Sequence, residues 1–152
     1  MNRIIISDTS CLIALSNIGL LNILKDLYQE IIITQDVKDE FEENLPEWIV
    51  VLTVKNTDRQ AEIETRLEKG EASSIALALE IEESILIIDE IKVRNIAKWF
   101  NIEIIGTIGI LVLANKQGLI KDVMTTIQKL VNKGFRLSDT IIENLIQEYG
   151  NK

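Results

Sequence analysis

Apolar residues fall along this chain in two patterns. Short unbroken runs, such as Ile4-Ile5-Ile6 and Ile85-Leu86-Ile87-Ile88, separate longer stretches in which apolar positions recur three and four residues apart. The runs fit strands buried on both faces of a parallel sheet, and the spaced stretches fit amphipathic helices that cover it. Strands are predicted at 3–7, 30–34, 48–54, 84–88 and 102–105, with 84–88 central and 48–54 nearer an edge. Helices are predicted at 9–16, capped by Thr9 or Ser10, then at 20–28, 35–43 and 56–69, the last stopped by Gly70. Glu71 then opens a buried helix through Ala72, Ile75, Ala76 and Leu79, and further helices follow at 90–100, 108–116, 120–132 and 138–149, the last capped by Ser138. Strands alternating with helices describe an α/β fold, a three-layer α/β/α sandwich around a mainly parallel sheet.

Composition narrows the class. A length of 152 residues suits one domain, spanning 1–152, with a substantial core. The single cysteine, Cys11, excludes an internal disulfide and reads as a small core residue in a reducing cytoplasm. No histidine is present, which removes imidazole bases and ordinary zinc sites. The apolar start is too short for a signal peptide, and no stretch reaches the ~18 apolar residues of a membrane span. A net charge of −8 argues against general nucleic-acid affinity, yet it is compatible with an acidic site that handles phosphate through bound cations.

The candidate chemistry lies in carboxylates. Asp8 follows the first strand and Asp89-Glu90 the fourth, so in a parallel sheet all three share the C-terminal edge, where such sheets bind ligands. Glu40 and Glu71 belong to helices expected to begin on that edge. Carboxylates about 4 Å apart repel by roughly 4 kcal/mol per pair at an effective dielectric near 20, so the cluster calls for a cation or shared protons. Mg²⁺ or Mn²⁺ suits oxygen-only donors and points to phosphoryl chemistry. Each acid also has an ordinary explanation. Glu71 and Glu90 complement helix dipoles, Asp8 caps a turn or helix, and Glu40 belongs to a solvated acidic face. Arg94 can pair with Glu90 at i, i+4. Asp89, at the end of the most apolar strand, is hardest to explain that way.

Ile4-Ile5-Ile6-Ser7-Asp8-Thr9-Ser10, Val37-x-x-Glu40-Phe41, Gly70-Glu71-Ala72 and Ile87-Ile88-Asp89, taken in order, resemble a PIN domain. Gly106-Thr107-Ile108-Gly109, Gly118-Leu119-Ile120 and Gly134-Phe135-Arg136 resemble a prokaryotic branch of that superfamily. The resemblance implies that Asp8, Glu40, Glu71 and Asp89 are catalytic and surround Mg²⁺ or Mn²⁺, with Glu90 as a further ligand. Thr9, Ser10, Arg94 and Thr107 are candidates for substrate binding, and Lys55, Arg59, Lys92, Arg94 and Lys98 for a positive rim. It implies hydrolysis of RNA phosphodiesters, the role of toxin beside a small antitoxin, and a homodimer. Glu71 and Glu90 depart from the aspartates common at those positions. Two other readings compete: a degenerate PIN fold that only binds, and a receiver-like signalling domain. Ser7-Asp8 and Gly106-Thr107 stand where a receiver needs an acidic pair and a lysine. No phosphate-binding glycine loop occurs.

Overall fold

A computed structural model describes residues 3–149. Its strands are β1 (Ile4–Ser7), β2 (Ile31–Thr34), β3 (Ile49–Leu52), β4 (Ser84–Ile87) and β5 (Glu103–Ile105). They form one parallel sheet in the order β3-β2-β1-β4-β5. The expected edge position of β3 holds, whereas β4 is interior but β1 occupies the centre. Helices α1 (Thr9–Asn17) and α2 (Asn22–Tyr28) lie between β1 and β2, and α3 (Gln35–Glu40) follows β2. Then come α4 (Thr57–Ile63), α5 (Lys69–Glu80), α6 (Ile91–Trp99), α7 (Thr107–Lys116), α8 (Val123–Asn132) and α9 (Asp139–Tyr149).

Side-chain alternation along the strands divides the interior in two. Ile5, Ile31, Ile33 and Ile87 pack with α1, α2, α7 and α8 on one face. Ile6, Ile32, Leu86 and Ile88 pack with α4, α5 and α6 on the other. Both clusters are apolar and almost solvent-free, which is why the strands carry no polar alternation. The result is a three-layer α/β/α sandwich. No single helix among the described residues is long and apolar enough to cross a membrane.

Three boundaries differ from expectation by three residues or more. The predicted helix 56–69 stops at Ile63, where the Thr65 hydroxyl donates to the Glu62 carbonyl and competes with the helical ladder. Gly70 does not terminate it; it lies inside the first turn of α5, which begins at Lys69. The helix predicted over 35–43 ends at Glu40, because Phe41 leaves helical geometry and is buried in the core. Glu40 therefore closes α3 rather than standing near its start. The predicted helix 120–132 begins only at Val123, capped by Asp122, whose carboxylate accepts from the Thr125 N–H at 3.2 Å and is held below its usual pKa by that backbone bond.

Candidate active site

Strand order fixes where the acids meet. From β1 the chain proceeds to β2 and β3 on one side, then returns to β4 and β5 on the other, so the order of strand addition, not strand direction, reverses between β1 and β4. Such a switch point opens a crevice at the C-terminal strand ends. Ser7 is in register with Ile87, and the Asp8 N–H continues the ladder to the Ile87 carbonyl at 3.2 Å. Asp8 is the first residue beyond β1, and Asp89 follows β4 by two.

Asp8, not Thr9 or Ser10, caps α1: its Oδ1 accepts from the Cys11 N–H at 3.4 Å. The side chain is almost fully buried. Burial, reinforced by the carboxylate of Asp89 and then those of Glu71 and Glu40, pushes its pKa from 3.8 up to about 8 against the lowering effect of the Cys11 bond. Asp89, Glu71 and Glu40 are thus each within electrostatic reach of Asp8.

The other carboxylates are held by neighbouring donors. Thr107 grips Asp89 twice, its N–H to Oδ1 at 2.7 Å and its hydroxyl to Oδ2 at 2.6 Å. Thr107 is fully buried at the start of α7, so this clamp is part of the fold. The Thr9 hydroxyl donates to Glu40 Oε2 at 3.2 Å. Glu40 reaches this position across Gly70, where an added Cβ would fall 2.0 Å from Oε1. Gly70 is therefore a close-approach residue. Glu71 reaches back to the Glu68 N–H at 3.2 Å, as in a capping box. Its pKa is raised to about 7, first by burial and then, opposed by the Glu68 bond, by the adjacent Glu90.

Among the expected substrate-binding residues, Thr9 and Thr107 engage carboxylates, and Ser10 is exposed on α1. Arg94 forms no ion pair with Glu90; its Nη1 donates to the Ile88 carbonyl at 3.3 Å. The same nitrogen and Asp89 Oδ1 lie 2.8 and 3.0 Å from where a Gly106 Cβ would stand, so Gly106 admits both. Lys92 borders a shallow depression with Glu71 and Glu90, and Arg59 lines a separate groove near Trp99. The Lys55 backbone is tied to Glu80, and Lys98 is exposed in the last turn of α6.

The donor set of Asp8, Glu40, Glu71 and Asp89 is oxygen-only and negatively charged, which fits a hard divalent cation. Among the described residues, no three His, Cys, Asp or Glu side chains stand as a ready-made metal-holding group. Glu71 and Asp89 instead engage protein donors. Cys11 is free and fully buried, and burial raises its thiol pKa, so it offers no thiolate.

A family model described as a PIN domain matches residues 4–151. The chain belongs to the PIN domain family. No curated protein and no solved structure gives a significant match. PIN domains are generally nucleases that use divalent metal ions.

Beyond the acids, a cavity of about 480 Å³ opens beside Asp89 and Glu90. Ile13 of α1 and Lys133, Phe135 and Arg136, which follow α8, contribute to its walls. Sequence reasoning attached no chemistry to this last segment. The available signal was Gly134, whose φ of +99° marks a chain reversal carrying two cations and an aromatic ring.

Proposed function

We propose that this PIN domain, acting as one domain over residues 1–152, is a divalent-metal-dependent endoribonuclease with Asp8, Glu40, Glu71 and Asp89 as its catalytic carboxylates. The observation that carries the reading is the buried Asp8 carboxyl at the sheet's switch point, with three further carboxylates raising its pKa. Nothing in a purely structural role requires that concentration of like charge.

A Mg²⁺ or Mn²⁺ ion held by these residues, with Glu90 as a further ligand, would supply an activated water and stabilise charge on the phosphate. The chain's own groups have distinct tasks. Asp8 and Asp89 provide the central carboxylates at the strand ends, and Thr107 fixes both oxygens of Asp89. Thr9 orients Glu40. Glu71, whose pKa burial and the adjacent Glu90 raise to about 7, can carry a proton near neutrality. Arg94, beside Asp89, offers a cation to a phosphate oxygen.

The family's frequent pairing with antitoxins supports a toxin role in the cytoplasm, with a small protein blocking the site and a homodimer as the assembled state. The test is Asp8→Asn, which leaves the fold intact and abolishes Mn²⁺-dependent cleavage of single-stranded RNA; undiminished cleavage overturns the assignment. A second reading, a PIN fold that binds without cleaving, draws on the lack of a ready-made metal-holding group among the described residues. Calorimetric titration with Mn²⁺ separates the two, since the binding-only form takes up no ion.

A further inference from the structure

Resting on the ribonuclease reading, we propose that the cavity beside Asp89 and Glu90 is a subsite for one nucleotide of single-stranded RNA flanking the scissile phosphate. Phe135 supplies the stacking face for the base, and Lys133 and Arg136 supply the charge that holds the adjoining phosphate.

Position comes first. The cavity wall includes Asp89 and Glu90, so a chain with one phosphodiester among the carboxylates has its next nucleotide at this opening. Its volume, about 480 Å³, is ordinary for a small-ligand pocket. The lining is mainly apolar, with Ile13, Leu130 and Phe135 providing a surface for a base and Ser10 a hydroxyl near the rim.

Charge is the second argument. The protein carries a net −8, and the acids repel a polyanion, so RNA binding needs local compensation. Lys133 and Arg136 supply it at this cavity, and among the described residues neither is engaged in an ion pair. Both are exposed.

Local structure holds the ring in place. The Gly134 and Phe135 N–H groups donate to the Val131 and Leu130 carbonyls at 2.9 and 3.0 Å, closing α8. Phe135 is half-buried and packs against the core cluster, so its ring is fixed while part of it remains accessible. Stacking on an aromatic ring is tolerant of base identity, and the phosphate contact is blind to it. The subsite therefore confers affinity for unpaired RNA rather than a sequence preference.

The experiment uses the full chain and a 5′-fluorescein single-stranded RNA octamer, in a plain and a 4-thiouridine form. Anisotropy in EDTA reads binding, photocrosslinking reads location, and Mn²⁺-dependent cleavage of the same RNA reads catalysis. Phe135→Leu, which keeps apolar bulk against the core, should weaken binding about tenfold and raise KM similarly while leaving kcat and the Mn²⁺-induced rise in Tm unchanged. Phe135→Tyr should restore binding. Arg136→Gln and Lys133→Gln should each lower the slope of log affinity against log salt by about 0.7, and the crosslink should map to 133–136. If wild type cleaves while all variants bind and cleave like it, or the crosslink lies elsewhere, the subsite is wrong and the ribonuclease reading stands; a groove that seats a protein partner gives this result. If wild type binds through Phe135 but never cleaves, the subsite stands and the ribonuclease reading falls. Absence of both binding and cleavage overturns both.

Discussion

Gly70 shows how a missing side chain can be functional. It lies in a helix, where alanine is favoured over glycine by up to about 1 kcal/mol. Yet a Cβ there would collide with the Glu40 carboxylate at 2.0 Å. Glu40 is an exposed, flexible side chain, so it would yield and the backbone would not. Gly70→Ala is thus expected to melt at or slightly above the wild-type temperature while losing most metal-dependent cleavage; calorimetry with a cleavage assay checks the pair. Thr107 gives a complementary case. Thr107→Val removes the hydroxyl bond to Asp89 but keeps the backbone one, and loss of such an orienting partner typically costs about 10- to 100-fold in metal affinity or activity. Thr107→Ser should recover most of it. The strand-end placing of Asp8 and Asp89 was legible in the sequence, because each closely follows an apolar run. Gly70 was not, since glycine near a helix boundary is read as a stop, and its close approach to Glu40 is a tertiary contact between residues thirty apart. The Thr107 clamp, across eighteen residues, escaped for the same reason.

At the level of elements, the apolar runs were reliable because strands buried on both faces have no freedom to carry polar residues. Helix ends were less so, since they depend on side chains whose partners lie elsewhere. Asp8 illustrates this: as the single residue between β1 and α1 it both caps α1 and is a buried carboxyl. Substitutions can separate the two roles. Asparagine caps as well as aspartate, whereas alanine forfeits about 1 kcal/mol of helix stability. Asp8→Asn also removes a carboxylate that burial and its acidic neighbours destabilise. In EDTA at pH 8 or above, Asp8→Asn is therefore expected to be more stable than wild type, and Asp8→Ala less stable than Asp8→Asn, as read from chemical denaturation midpoints. Equal stability of all three proteins would mean that the junction carries neither a cap nor a strained charge.

For the molecule as a whole, the acidic cluster ties folding stability to both pH and metal. Asp8 titrates near 3.8 when unfolded and about 8 when folded, and Glu71 moves the same way, from 4.5 to about 7. The folded state therefore holds protons that the unfolded state has released between those values. Linkage makes stability fall as pH rises wherever the folded state binds more protons. The favourable contribution is complete below pH 3.8, where both states are protonated, and is lost progressively as pH climbs toward about 8. In EDTA, Tm should accordingly decline between pH 5 and pH 8, opposite to the behaviour of a protein whose carboxylates are salt-bridged. A divalent cation binds the ionised cluster and competes with those protons, so Mn²⁺ should raise Tm most at the alkaline end. At one hundred times its dissociation constant, an ion that binds only the folded state adds about 2.7 kcal/mol, or roughly 5 to 10 °C for a chain of this size. The shift should shrink on acidification, because Asp8 must lose its proton before it can serve as a ligand. A Tm that in EDTA rises from pH 5 to pH 8 would mean that burial and like charge do not govern Asp8. A Mn²⁺ shift of constant size across that range would mean that the ion binds outside the cluster.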